Sequence, residues 1–335
     1  MTSFTKSSDV LACVYDTALL DLDGVVYIGD DAVPGVIPAL NTARDEFGMN
    51  LTCVTNNASR SSKRVADHLV ALGLHVTAND VVTSAQAGAA ELAKLVPQGS
   101  RVFVMGSKDL AHEVELVGLV PSHNDGLTYD ALIQGYWPDM PWRIVDHAAE
   151  ILRSGVPWVA TNMDMTIPTP TGISPGNGTL VKALGQAVNR EPTIVAGKPQ
   201  VPLMQQSIAR TAAIRPLVIG DRLDTDIHGA NNVQVDSLLV LSGVTTLSDI
   251  LQAPLELRPT YIAWDASEVL ASQIGAQVHG AKISCGGWQV ANGDLLGQGD
   301  SLDAAKSIAV AHWNDFISLE RSLEVLSGIG LPVSG

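Results

Sequence analysis

The stretch Leu19-Leu20-Asp21-Leu22-Asp23-Gly24 constrains this chain more than any other. Residues 17–21 form a short apolar run that ends in polar residues, the pattern of a buried parallel strand. Residues two apart on an extended chain project to the same side, so Asp21 and Asp23 address one small volume. Gly24 carries no side chain and permits a sharp turn just beyond. In isolation such a segment also reads as a solvated turn. What decides between the two readings is whether matching groups stand at the ends of other strands.

The rest of the chain alternates strands and helices. A helix is expected from Pro34 to about Phe47, a strand over 51–54, and a helix over 61–72 that stops at Gly73. Strands are expected at 101–105, 131–134 and 157–160, between helices at about 84–95, 108–118 and 141–153. Pro168, Pro170, Gly172, Pro175, Gly176 and Gly178 mark a loop. A helix over 179–189, a strand over 193–196, a helix over 200–213 and a strand over 217–219 follow. A helix near 225–232 and strands at 237–241 and 260–263 complete the series. This is a doubly wound, Rossmann-like α/β pattern, whose ligands collect at the carboxyl ends of the strands. Asp21 and Asp23, Thr55 and Asn56, Gly197 and Lys198, and Asp221 all fall at such ends.

Thr55 and Lys198 are 143 residues apart. One strand–helix–strand crossover takes roughly 30 residues. The surplus carries its own strands and helices, so a large inserted α/β domain is expected at 84–189, with the core at 1–83 and 190–274. A short extension over 275–335 completes the chain. It contains an Asn292-Gly293 hairpin signal between two strand-like runs, then one helix over 302–327, and is expected to pack on the core or on a partner subunit.

Composition bounds the function. The hydrophobic share is 46% and the charged share 16%, which is globular and not disordered. With 20 basic against 35 acidic residues the net charge is −15, which argues against nucleic acid as partner. No apolar stretch is long enough for a membrane span, and Asp9 and Asp16 interrupt any signal-peptide pattern. Cys13, Cys53 and Cys285 have no paired spacing, so reduced thiols and a cytoplasmic location are expected.

Two carboxylates joined by a third from another strand, Asp221, suit a hard oxygen-liganded cation such as Mg²⁺. The metal would let an anionic nucleophile meet an anionic phosphate. Asp21 is then the nucleophile toward phosphorus, and Asp23 the acid that protonates the leaving alcohol and later activates water. Thr55, Asn56 through its backbone N–H, and Lys198 would receive the phosphate oxygens. Asp226 would support Lys198 or a metal-bound water. The twelfth position from Asp21 is Ala32 and from Asp224 is Val235, so neither segment is an EF-hand loop. Pro199 after Gly197-Lys198 excludes a Walker motif.

Four segments together resemble the haloacid dehalogenase (HAD) superfamily, in its NagD-like, p-nitrophenyl phosphatase branch with a large C2-type cap. They are Asp21-Leu-Asp23-Gly24-Val25, Thr55-Asn56-Asn57, Gly197-Lys198-Pro199, and Gly220-Asp221 through Thr225-Asp226. Val33-Pro34-Gly35, Asn57-Ala-Ser59-Arg60, Thr161-Asn162-Met-Asp164 and Pro168-Thr-Pro170 add to the match. The resemblance implies an aspartyl-phosphate on Asp21, with Mg²⁺ held by Asp21, Asp221 and the Asp23 backbone carbonyl. It also implies a phosphoryl group held by Thr55, Asn56 and Lys198. Asn162 and Asp164 are expected near the substrate from the cap, as is the segment 134–142. The C-terminal extension is similar to that of actinobacterial glycerol 3-phosphate phosphatases in this branch, so a small phosphate ester, glycerol 3-phosphate first, is the expected substrate. Phosphoglycolate and pyridoxal phosphate are the alternatives within the family, and a non-catalytic HAD-fold regulatory or binding module is the alternative outside enzymology. Related enzymes pair through their caps, which makes a homodimer an expectation.

Overall fold

The protein is described by a computed structural model over residues 3–124, 126–169 and 172–333. Pro170, part of one matched segment, lies outside the described residues. Backbone proximity divides the chain into two compact units. The first takes in residues 1–53, 70–75 and 210–335, the second residues 54–69 and 76–209.

The first unit is built on a parallel sheet. Its strands run Tyr261–Ala263, Asp236–Val240, Pro216–Gly220, Thr17–Leu20 and Asn50–Thr55 in spatial order, each parallel to the next, the last contributing its residues 50–53 to this unit. The four residues of Thr17–Leu20 are all buried, as befits a central strand covered on both faces. Chain order and spatial order part company between Thr17–Leu20 and Pro216–Gly220. That reversal is the topological switch point, where the strand ends open a crevice.

The second unit carries a parallel sheet of its own, in the order Ile194–Val195, Trp158–Ala160, Ala131–Gln134, Arg101–Met105 and Val120–Ser122. Its strand residues alternate between two cores. Phe103, Met105, Leu132 and Trp158 pack against Ile144, Leu152, Val181 and Leu184 of helices Trp142–Arg153 and Asn177–Val188. Val102, Val104, Ile133 and Val159 pack against Ala89, Leu92, Leu110 and Val114 of helices Ser84–Leu95 and Lys108–Leu116. Thr83 and Gln86 form a capping box at the start of Ser84–Leu95, and Ser107 accepts the Leu110 N–H at the start of Lys108–Leu116. Strand Ile194–Val195, assigned to the core by the sequence reading, pairs with Val159 and Ala160 of this second sheet.

Several elements differ from expectation. The proline- and glycine-rich loop contains an antiparallel hairpin, Thr166–Thr169 with Gly172–Pro175, and the helix after it starts at Asn177 instead of 179. Proline is compatible with this short two-stranded ribbon because its missing N–H can face away from the partner strand. The helix expected near 225 opens with a π-helical turn, Leu223–Ile227, before His228–Asn232. The single helix over 302–327 is two helices, Ser301–Trp313 and Leu319–Gly328. Asp315 takes φ +60° between them, and Ser318 caps the second by accepting the Arg321 N–H.

The C-terminal hairpin is present. Trp288–Ala291 pairs with Asp294–Gly297 around Asn292 and Gly293, both at positive φ (53° and 81°), as a type I′ turn requires. It belongs to a four-stranded antiparallel sheet that also holds Gln277–His279 and Lys282–Cys285. Helix Ser301–Trp313 joins this sheet to the first unit's core, with Ile308, Val310 and Trp313 packed among Leu223, Ile250, Leu251 and Ile262. Trp313 Nε1 donates to Ile250 O at 3.0 Å, and the Arg258 guanidinium lies 4.6 Å above the indole ring. The extension therefore packs on the core. Among the described residues no helix is long and apolar enough to cross a membrane.

Candidate active site

At the switch point of the first unit, Leu20 lies beside Ile219, and Asp21 N–H donates to Ile219 O at 2.9 Å. The two strands thus run in register to their ends and deliver Asp21 and Asp221 side by side. The π-helical turn that follows brings Asp226 back toward the same point. One ligand oxygen each from Asp21, Asp221 and Asp226 lies within 4.8 Å of the others. Asp21 is half-buried, Asp221 is 1% exposed and Asp226 is fully buried.

Three carboxylates this close repel one another unless a cation neutralises them. The donors are all hard oxygens, which fits Mg²⁺ or Ca²⁺ and not a thiolate- or imidazole-seeking metal. Opposite ligands on octahedral magnesium stand about 4.2 Å apart, so the cluster is already near the required size.

The backbone around the cluster is shaped to it. A Cβ on Gly243 would stand 2.0 Å from Asp221 Oδ2, and one on Gly24 2.5 Å from the same atom. A Cβ on Gly220 would stand 2.3 Å from Asp226 Cβ. Gly24 also takes φ +80°, so it is required on both counts. Val244 N–H donates to Asp221 Oδ2 at 2.8 Å, Ser242 Oγ donates to Gly24 O at 2.6 Å, and Arg222 N–H donates to Asp226 Oδ2 at 3.2 Å. Next to the cluster, Arg222 grips Asp224 with two bonds of 3.0 and 2.8 Å. Burial would raise the Asp224 carboxyl, but this clamp and nearby backbone N–H groups outweigh it and hold the carboxyl below its usual range.

Asp23 stands exposed just past the strand, its backbone bridged to Tyr27. Gly24 N–H donates to Tyr27 O at 2.8 Å, and Val26 N–H to Leu22 O at 2.9 Å. These bonds close a tight turn on which Asp23 stays exposed to solvent. Proton exchange needs that access.

The other expected site residues lie in the second unit. Thr55 is 6% exposed, and its Oγ1 accepts Asn57 N–H at 3.1 Å. Lys198 is 3% exposed, and its Nζ donates to Val54 O at 3.1 Å, which brings the ammonium to the end of the strand that carries Thr55. Asn56 uses its side chain on Lys198: Oδ1 accepts Lys198 N–H at 2.7 Å, and Nδ2 donates to Lys198 O at 3.1 Å and to Asp164 Oδ1 at 3.0 Å. Asn162 is 3% exposed, and its Nδ2 donates to Asn56 O at 2.7 Å. Gln134, at the start of the segment expected near substrate, is fully buried.

The structure thus gathers Asp21 and Asp221 as expected from the strand ends and adds Asp226 to them. The loop 241–245 was missed at the sequence level. Its signal was Gly243, placed just beyond a predicted strand where a bare backbone can approach another loop.

Residues 18–120 match the haloacid dehalogenase-like hydrolase family and residues 195–269 a second HAD-hydrolase-like description. The chain is 42% identical to the D-glycerol 3-phosphate phosphatase of Mycobacterium tuberculosis over 315 residues, covering 90% of this chain and 87% of that one. Crystal structures of glycerol phosphate phosphatase from M. tuberculosis in complex with magnesium and with calcium superpose with a TM-score of 0.83. They show 36% and 35% identity and cover 98% of this chain and 100% of theirs. The p-nitrophenyl phosphatase of Archaeoglobus fulgidus matches at TM-score 0.70 and 26% identity, covering 76% of this chain and 98% of its own. The magnesium and calcium of those structures are the hard cations that the oxygen-only cluster fits. Motif set, switch-point carboxylates and full-length similarity agree: this chain belongs to the haloacid dehalogenase-like hydrolases, as a phosphatase.

Proposed function

We propose that this chain hydrolyses glycerol 3-phosphate to glycerol and inorganic phosphate, with magnesium held by Asp21, Asp221 and Asp226 and by the Asp23 backbone carbonyl. The observation that carries the chemistry is the convergence of three carboxylates at the switch point. The substrate rests on the 42% identity, over nine tenths of this chain, to a D-glycerol 3-phosphate phosphatase. Bound magnesium supplies the positive charge that lets a carboxylate approach a phosphate dianion.

Asp21 attacks phosphorus, forming its Oδ–P bond as the ester P–O bond breaks. Asp23 gives its proton to the departing glycerol oxygen, then accepts one from the water that cleaves the aspartyl-phosphate, regenerating Asp21 and releasing phosphate. Thr55 Oγ1, Asn56 N–H and Lys198 Nζ receive the phosphoryl oxygens, and the lysine charge counters the negative charge that grows in the transition state. Residues 84–189, which supply four of the five strands of a sheet with a core on each face, are the proposed cap that selects the ester. The sparse cysteines, two of them buried, support a cytoplasmic enzyme.

Phosphate release from glycerol 3-phosphate, 2-phosphoglycolate and pyridoxal 5′-phosphate, each with and without Mg²⁺, tests this reading. Release is expected only with Mg²⁺, and kcat/KM for glycerol 3-phosphate should lead the other two by about tenfold or more. A leading value on either rival reassigns the substrate. Silence on all three leaves a binding module in place of an enzyme.

A further inference from the structure

Lys198 is held in an unusual way. Its backbone N–H and its backbone C=O are both taken by one side-chain amide, that of Asn56, at 2.7 and 3.1 Å. The amide imitates a neighbouring strand and fixes the peptide planes on both sides of the lysine. Close approach is built in: a Cβ on Gly197 would stand 2.6 Å from Asn56 Oδ1 and 2.7 Å from Thr161 O.

Asn56 is itself held on every side. Its second Nδ2 hydrogen goes to Asp164 Oδ1 at 3.0 Å, and its backbone C=O accepts Ser84 Oγ at 2.5 Å and Asn162 Nδ2 at 2.7 Å. Asn162 is tied in turn to the start of helix Asn177–Val188, where Asn177 Nδ2 donates to Asn162 O at 2.9 Å. The amide orientation of Asn56 is over-determined. Flipping it would set Nδ2 against the Lys198 N–H and Oδ1 against both Lys198 O and the Asp164 carboxylate.

The geometry points to Asn56 as a positioning residue for Lys198, kept in place by Asp164 and Asn162, so that the segment 162–164 sets the aim of the lysine ammonium. This goes beyond a phosphate contact through the Asn56 backbone, and its kinetic part rests on the phosphatase reading. A lysine that counters charge growing in the transition state must be aimed before the reaction, and a misplacement of about 1 Å can cost on the order of 100-fold in rate.

Three variants test it: Asn56→Ala, Asp164→Leu and Asp164→Asn. Two readouts apply to each, the separate kcat and KM for glycerol 3-phosphate, and the acetylation rate of Lys198 by acetic anhydride in metal-free, substrate-free protein, followed by peptide mass spectrometry. Asn56→Ala is expected to lower kcat on the order of 100-fold with little change in KM, and to raise Lys198 acetylation roughly tenfold as the buried segment opens. Asp164→Leu should move both readouts the same way. Asp164→Asn should shift acetylation less than Asp164→Leu does and keep more of kcat, because a carboxamide oxygen can accept the same bond from Asn56. A lower melting temperature with kcat and acetylation unchanged in Asn56→Ala or Asp164→Leu overturns the proposal, since that is all a purely structural role would produce. If the wild type releases no phosphate, the phosphatase reading fails while the acetylation rates still decide whether Asn56 controls Lys198. Should Asn56→Ala not fold, the Asp164 pair carries the test.

Discussion

Asp21→Asn is expected to reduce phosphate release on the order of 10⁵-fold or more, the scale on which enzymes fail when an attacking residue is lost, while leaving the fold intact. The carboxamide has nearly the shape of the carboxylate, but its oxygen is a poor nucleophile toward phosphorus. The backbone at Asp21 is held independently of its side chain. Thr17–Leu20 is anchored on both sides by parallel ladders, and the Asp21 backbone N–H keeps its bond to Ile219 O. Removing one of three clustered negative charges also relieves repulsion in the metal-free protein. The melting temperature without Mg²⁺ should therefore stay level or rise, while the phosphate assay falls to background. A variant that keeps a tenth of wild-type kcat would remove Asp21 from the role of nucleophile.

Asp221→Asn should be the next most damaging change, and its signature differs. Asp221 is 1% exposed, accepts Val244 N–H at 2.8 Å and fits against the bare backbones of Gly24 and Gly243. Asparagine keeps the shape and the acceptor oxygen but not the charge. A divalent ion stabilises transition-state charge by several kcal/mol, so weakening its hold is expected to lower kcat/KM about 10³-fold. Wild-type protein should gain about 2.7 kcal/mol when Mg²⁺ stands at a hundred times its dissociation constant. In the variant most of that gain should vanish at the same Mg²⁺ concentration. Thermal melts with EDTA and with Mg²⁺, run on both proteins, read this directly. Equal Mg²⁺-dependent shifts would show that Asp221 is not a ligand.

The strand ends were legible because burial and chemistry agree there. Apolar runs such as Pro216–Gly220 end abruptly on a carboxylate or on glycine, and a parallel sheet covered on both faces demands that pattern. The parts that were not legible depend on contacts between segments distant in sequence. Asp226 was expected beside the metal as support for Lys198 or a metal-bound water, but its direct place in the cluster depends on a π-helical turn that swings it back over Gly220. Ser242 and Val244 act through hydrogen bonds to Gly24 O and Asp221 Oδ2, more than twenty residues away in either case. Asn56 was read as a phosphate donor through its backbone, and its side-chain grip on Lys198, 142 residues on, has no local signature.

The C-terminal part shows a second limit. The Asn292-Gly293 turn was readable because only special residues accept two successive positive φ angles. Strand Gln277–His279 was not, since its three residues are all exposed and carry no alternation to read. Helix Ser301–Trp313 is buried almost all round, so its apolar spacing ran smoothly into the next helix and hid the break at Asp315.

The most direct test of the account is to trap the covalent intermediate. Wild-type protein is mixed with Mg²⁺ and ³²P-labelled glycerol 3-phosphate, quenched in acid within milliseconds, digested and sequenced. Label on the peptide that contains Asp21, absent without Mg²⁺ and absent from Asp21→Asn, is the expected result. Rapid phosphate release with no labelled peptide at any quench time, or label on another residue, would contradict it.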